Sequence, residues 1–153
     1  MRGFALTGFL GIGLCLGTLV ACALLCGCGA AHRESQEREQ SNLKPLAVLY
    51  GQFIGQHRGQ PPASEEEFKQ FIRSSGTREL AGFDVSDLES LFVSSRDQKP
   101  YVVLYGKNAP VGKARVVAYE REGKGGTRFI ANDLGDVQEV DEARLKEMVP
   151  GAQ

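Results

Sequence analysis

Residues 114–131 read ARVVAYEREGKGGTRFIA, and this stretch decides the fold. Its two flanks are rich in β-branched and aromatic residues, the composition of half-buried strands. Between them Glu122-Gly123-Lys124-Gly125-Gly126 supplies the glycines that a tight antiparallel turn requires. Two hairpin-paired strands follow, over 114–120 and 127–131. Working outward, Pro100-Tyr101-Val102-Val103-Leu104-Tyr105 reads as the strand before them. It is entered from Ser90-Leu91-Phe92-Val93 through a turn at 94–99 and left through a loop at 106–112. Gly135-Asp136-Val137-Gln138-Glu139-Val140 reads as a fourth short strand. Asp141 then caps a closing helix, with Val140 and Leu145 spaced as a hydrophobic staple. Leu145, Met148 and Val149 face the core, and Pro150 ends the helix.

The chain ahead of these strands is helical. Leu43, Leu46, Ala47, Tyr50, Phe53, Ile54 and His57 recur at spacings of three and four, one face of a helix over 43–57. Pro45 sits in its first turn, where proline is tolerated. Arg58-Gly59-Gln60-Pro61-Pro62 is a loop. Ser64-Glu65-Glu66-Glu67 is a capping box in front of Phe68, Phe71 and Ile72, its acidic residues suiting the positive helix end, and Gly76 stops that helix. Asp84-Val85-Ser86-Asp87 opens a shorter turn carrying Leu88 and Leu91. Helices first and an antiparallel meander after predict one α+β domain over 43–150, with the helices on one face of the sheet.

Upstream of that domain the texture changes. Arg2 precedes a run without charge from Gly3 to Ala31, which contains all four cysteines, Cys15, Cys22, Cys26 and Cys28. A polar stretch from His32 to Gln40 follows. The run reads as an export segment over 1–27, with a polar tether over 28–42. Leu25-Cys26-Gly27-Cys28 fits a lipoprotein cleavage pattern, an aliphatic residue and two small ones before a cysteine that takes the lipid. Leu19-Val20-Ala21-Cys22 fits the pattern more closely. Position favours Cys28, because cleavage at Cys22 leaves Ala23-Leu24-Leu25 at the new N-terminus of a segment meant for water. An uncleaved transmembrane anchor is the alternative, since the run exceeds the ~20 residues that span a bilayer. Positive charge on both sides (Arg2, then Arg33 and Arg38) leaves its orientation unspecified. In both readings the domain is exported and held at a membrane, in the periplasm or on the cell surface.

Composition excludes several function classes. The formal charge is −1, with no basic excess to bind nucleic acid. A domain without cysteine forms no internal disulfide, and offers no thiol nucleophile or cysteine-ligated zinc. His57 follows the core stripe and reads as a helix-end histidine. The other histidine, His32, lies in the tether, and no serine sits in a nucleophile elbow, so no Ser-His-Asp arrangement is supported. Glu65, Glu66 and Glu67 point in different directions on a helix and serve as its cap. Tyr101, Tyr105, Tyr119 and Phe129 alternate on strands and read as packing residues. No catalytic residue and no cofactor are expected.

Three stretches carry a resemblance. Tyr50…Phe53…His57-Arg58-Gly59-Gln60-Pro61-Pro62 resembles the end of the pseudopilin helix. Arg96-Asp97-Gln98-Lys99-Pro100-Tyr101-Val102-Val103 resembles the Asp and Pro-Tyr hairpin of type II secretion pseudopilins. Val117 to Val137 is similar to the end of prepilin-type proteins with a His-X9-Asp-Gly motif. Here Gly123 stands where that histidine would fall, and Leu134 interrupts the Asp-Gly. Arg2-Gly3-Phe4-Ala5-Leu6 resembles a prepilin cleavage site, with Gly8 where the family has glutamate. The resemblance implies a pilin-like head. It also implies calcium binding at Asn132, Asp133 and Asp136, with Asp141 nearby, as some pseudopilins bind the ion in such a loop. Calcium takes six to eight oxygens, and a strand turn plus helix cap accounts for the same residues, so the preferred reading has no metal. The expected function is an exported, lipid-tethered, non-catalytic structural or interaction protein of the cell envelope. Its expected partners are the membrane, through the N-terminal lipid, and envelope proteins. The alternative is a minor pseudopilin of a secretion or pilus assembly.

Overall fold

The computed structural model describes residues 37, 41–74, 87–109, 112 and 115–152. The leader, Cys22, Cys28, most of the tether, Gly76 and residues 84–86 lie outside the described residues.

Helix α1 spans Leu43–Gln56, α2 spans Glu65–Ser74 and α3 is the single turn Leu88–Leu91. Strands β1 (Val102–Val103), β2 (Val116–Tyr119), β3 (Thr127–Asn132) and β4 (Val137–Asp141) follow, then α4 (Glu142–Met148). A 3-10 turn at Gly106–Asn108 separates β1 from β2. The strands form one antiparallel sheet in the order β1-β2-β3-β4, each paired with its sequence neighbour. The fold is α+β, with the N-terminal helices packed on a meander and a short helix at the end.

The hydrophobic stripe of α1 buries Leu43, Leu46, Ala47, Leu49, Tyr50 and Phe53. Phe68, Phe71 and Ile72 of α2 and Leu91 and Phe92 by α3 join them. They close over Val117, Ala118, Phe129 and Ala131, the first face of the sheet. The stripe ends earlier than its spacing predicts. Ile54 is half-buried and His57 is exposed, its ring stacked on Phe53 at 3.8 Å and its Nδ1–H donating to the Phe53 carbonyl at 2.8 Å.

The caps follow the sequence with one shift. The Ser64 hydroxyl accepts from the Glu67 N–H, but the Glu67 carboxylate accepts from Ala63 N–H at 2.6 Å, one residue beyond the expected return bond. Asp87 caps α3 through the Ser90 N–H, and Asp141 caps α4 through the Arg144 N–H at 2.8 Å. Gly123, Gly125 and Gly126 take positive φ in the β2–β3 turn, the conformation that only glycine adopts freely.

Two expectations need correction. The strand expected over 100–105 is regular only at Val102–Val103, and 90–93 contributes a single bridge from Val93 to Pro100. Nor are all helices on one face. Leu145 and Val149 pack with Leu104, Val116, Tyr119, Ile130 and Val140 on the second face. Every residue of β2 is therefore buried, as its unbroken apolar run requires of a strand covered on both sides. A register shift between Val116 and Ala118 places the consecutive Val117 and Ala118 both on the first face.

Candidate functional site

Past the bulge the alternation resumes, with Tyr119 on the second face and Glu120 returned to the first. Glu120 has no exposed surface. A bare carboxylate there would carry a large desolvation cost, and three partners offset it. The Ser94 hydroxyl donates to Glu120 Oε1 at 2.8 Å, and the Phe129 N–H donates to Oε2 at 2.8 Å. Arg96 Nη1 lies 3.6 Å from Oε2, a charge contact without a hydrogen bond. The Arg96 guanidinium, 7% exposed, also reaches Glu139 Oε1 on β4 at 2.9 Å and stacks 3.8 Å above the Phe129 ring. Thr127 donates its hydroxyl to the same Glu139 oxygen. Burial pushes the Glu120 carboxyl up. The Phe129 N–H, the Ser94 hydroxyl and Arg96 pull the other way without cancelling it, and Asp97 adds to the rise.

Asp97 anchors the same loop from outside. It accepts from the backbone N–H of Lys99, Glu122 and Gly123 at 2.9–3.1 Å. Burial works against its charge, but these N–H groups and Ser94 outweigh it and hold the carboxyl below its usual range. Gln98, one residue on, sits at φ 56°, a strained value for a side chain of its kind. Tyr101 joins the network to the start of α1 through a 3.1 Å bond between its hydroxyl and Ser41, and burial pushes its pKa up to about 12. Both Glu120 oxygens and both Asp97 oxygens already accept hydrogen bonds, whereas Arg96 Nε and Nη1 are buried without one, so the arrangement clamps the 94–99 loop with its carboxylates engaged.

The candidate calcium loop is likewise occupied by its own backbone. Asn132 Oδ1 accepts from the N–H of Leu134 and of Asp136 at 3.0 Å each, and its amide donates to Asp136 Oδ2 at 3.1 Å. Asp133 is directed to Arg115, 3.4 Å away. Asp141 caps α4. The four oxygen-bearing residues thus do not converge, and no cluster of three His, Cys, Asp or Glu arranged to hold a metal occurs among the described residues.

A shallow groove of about 890 Å³ crosses the second face beside β1. Val102, Leu104 and Tyr119 form its floor and Val149–Ala152 one wall, with Lys107, Arg121 and Arg128 at the rim. It is a concave surface, formed by described residues, at which a ligand can be considered.

Arg96, Glu120 and Glu139 were not predicted as a cluster. The one local signal is a carboxylate, Glu120, directly after the unbroken apolar run Val116–Tyr119; the face it meets depends on the bulge. Comparison with protein-family models, with curated proteins and with solved structures found no match.

Proposed function

We propose that this protein is an exported lipoprotein, tethered to a membrane by a lipid on Cys28, with a non-catalytic structural or interaction role at the cell envelope. The observation that carries the reading is Leu25-Cys26-Gly27-Cys28 near the end of the uncharged run, with a charged, polar tether after it. The folded unit fits such an arrangement. Ser41, bonded to Tyr101, and Asn42, bonded to the Ser90 carbonyl, already belong to that unit, so the link is the stretch between Cys28 and Ser41. The engagement of both Glu120 oxygens inside the fold, with Arg96 bridging to Glu139, favours a structural role for the cluster over catalysis.

Labelling the expressed chain with a fatty-acid probe tests this in wild type, Cys28→Ala and Cys22→Ala. Loss of label in Cys28→Ala alone is the expected result. Loss in Cys22→Ala alone moves the anchor, and an unlabelled wild type overturns the lipoprotein reading.

The second reading, a minor pseudopilin, draws on Arg2-Gly3-Phe4-Ala5-Leu6 and on the order of a leading helix followed by an antiparallel meander. It predicts a mature N-terminus at methylated Phe4, which mass spectrometry of the purified chain distinguishes from a diacylglyceryl cysteine.

A further inference from the structure

The groove beside β1 has features that select a ligand. Its rim carries three cations, Lys107, Arg121 and Arg128, against one anion, Glu122. Glu122 is drawn toward Lys99 at 3.8 Å, and Arg128 is held by Glu142 at 2.9 Å. Among the described residues, the exposed Lys107 has no ion-pair partner and the exposed Arg121 has none either, making a 3.4 Å contact from Nε to the Pro100 carbonyl. A positive rim is therefore left on a chain whose formal charge is −1.

The floor narrows the choice further. Leu104 and Tyr119 of the floor and Val149 and Ala152 of the wall are each under 9% exposed and Val102 is half-buried, so the groove presents thin apolar edges instead of a deep slot. An acyl chain has too little apolar surface there to be sheathed. A single-stranded nucleic acid needs a platform of exposed aromatic rings; of the two tyrosines lining the groove, Tyr119 is buried and Tyr105 is half-buried, packed against the first-face core with its hydroxyl enclosed. An extended polypeptide needs neither. Its side chains alternate up and down, so alternate acidic residues can meet the rim while the residues between them rest on the floor. β1 is also the edge strand of the sheet, with no described strand on its other side.

We infer that this groove docks an extended acidic segment of a partner protein, with Lys107 and Arg121 as the charges that recognise it. The inference gives a partner class to the interaction role proposed above. It does not depend on the lipid, so an unlabelled wild-type chain would leave it standing.

The test is fluorescence anisotropy on the full chain in neutral detergent micelles. The probes are a fluorescein-labelled hexapeptide of alternating Glu and Val and its Lys/Val counterpart. The acidic peptide is expected to bind saturably and the basic one not. Lys107→Glu combined with Arg121→Glu is expected to weaken binding about tenfold, since rim charges are individually modest and act together. Arg144→Glu, on the exposed side of α4 and away from the groove, should leave binding unchanged. Should the double reversal unfold the chain, Lys107→Gln, which alters one exposed side chain, gives the same reading with a smaller loss. Absence of saturable binding, equal binding of both peptides, or insensitivity to the rim substitutions overturns the proposal. So does Arg121-dependent binding of anionic phospholipid vesicles or single-stranded DNA that displaces the peptide.

Discussion

The Arg96 guanidinium and the Glu120 carboxylate lie 3.6 Å apart where neither side chain has appreciable contact with water. One comes from the loop before β1 and the other from the residue after β2, so the pair ties a connection to the sheet. Removing one member of a buried pair costs more than the pair contributes, because the other member keeps its desolvation cost. Glu120→Ala deprives Arg96, Ser94 and the Phe129 N–H of a partner at once. It is expected to lower stability by about 3 kcal/mol. Glu120→Gln keeps one acceptor oxygen and should cost about half as much. Urea unfolding of the two variants checks the order. A smaller loss for the alanine variant would sink the account.

Glu120 and Asp97 make opposite contributions to the pH dependence of stability. The Glu120 carboxyl is raised above its ordinary 4.5, so the folded chain holds this proton more tightly than the unfolded one. Its contribution is greatest below pH 4.5 and declines as pH rises through the raised folded value. Asp97 is lowered below its ordinary 3.8. Its contribution is present above pH 3.8 and is lost as pH falls through the lowered folded value. Urea midpoints measured across the acid range should separate the two. Glu120→Gln is expected to remove the decline on the rising side, and Asp97→Asn to flatten the acid limb. A Glu120→Gln profile parallel to wild type would refute the assignment.

The same pair shows what could be read in the sequence and what could not. Local signals were legible. The stripe from Leu43 to Phe53, the Ser64 and Asp141 caps and the glycines of the β2–β3 turn each depend on residues within a few positions, and the structure has them all. The Arg96–Glu120–Glu139 cluster depends on register between separate strands and on the bulge at Val116/Ala118, which resets which face Glu120 meets. No local pattern encodes that bulge. The second layer was half legible. Val116-Val117-Ala118-Tyr119 has no polar face, which signals cover on both sides, but the spacing in α4 does not say which face it closes. Cys28, the cysteine proposed to take a lipid, is read from the leader alone and lies outside the described residues.

The Asn132 loop tests the calcium reading directly. Asn132 Oδ1 already accepts two backbone N–H groups, so Asn132→Ala leaves both without that acceptor. A loss of about 1–2 kcal/mol is expected, the same with and without calcium. Thermal unfolding of the wild type should be unmoved by millimolar calcium. A rise in midpoint with calcium that disappears in Asp136→Asn would establish a metal site after all.

Two glycines of α1 make a closing comparison, because helix propensity treats them alike and packing does not. A methyl group at Gly51 would stand 2.1 Å from the Asp133 carbonyl oxygen, which belongs to the backbone and cannot swing aside. The same group at Gly55 meets nothing within 4 Å. Replacing glycine by alanine inside a helix favours the fold by up to about 1 kcal/mol where there is room. Gly55→Ala is therefore expected to raise stability by that amount. Gly51→Ala must push α1 away from the β3–β4 turn, and the resulting strain, about 1–3 kcal/mol, exceeds the propensity gain. Chemical denaturation of the two variants decides the matter. Equal stabilisation by both would mean that α1 does not approach Asp133 as closely as the structure has it, and the contact between the first helix and the end of β3 would have to be redrawn.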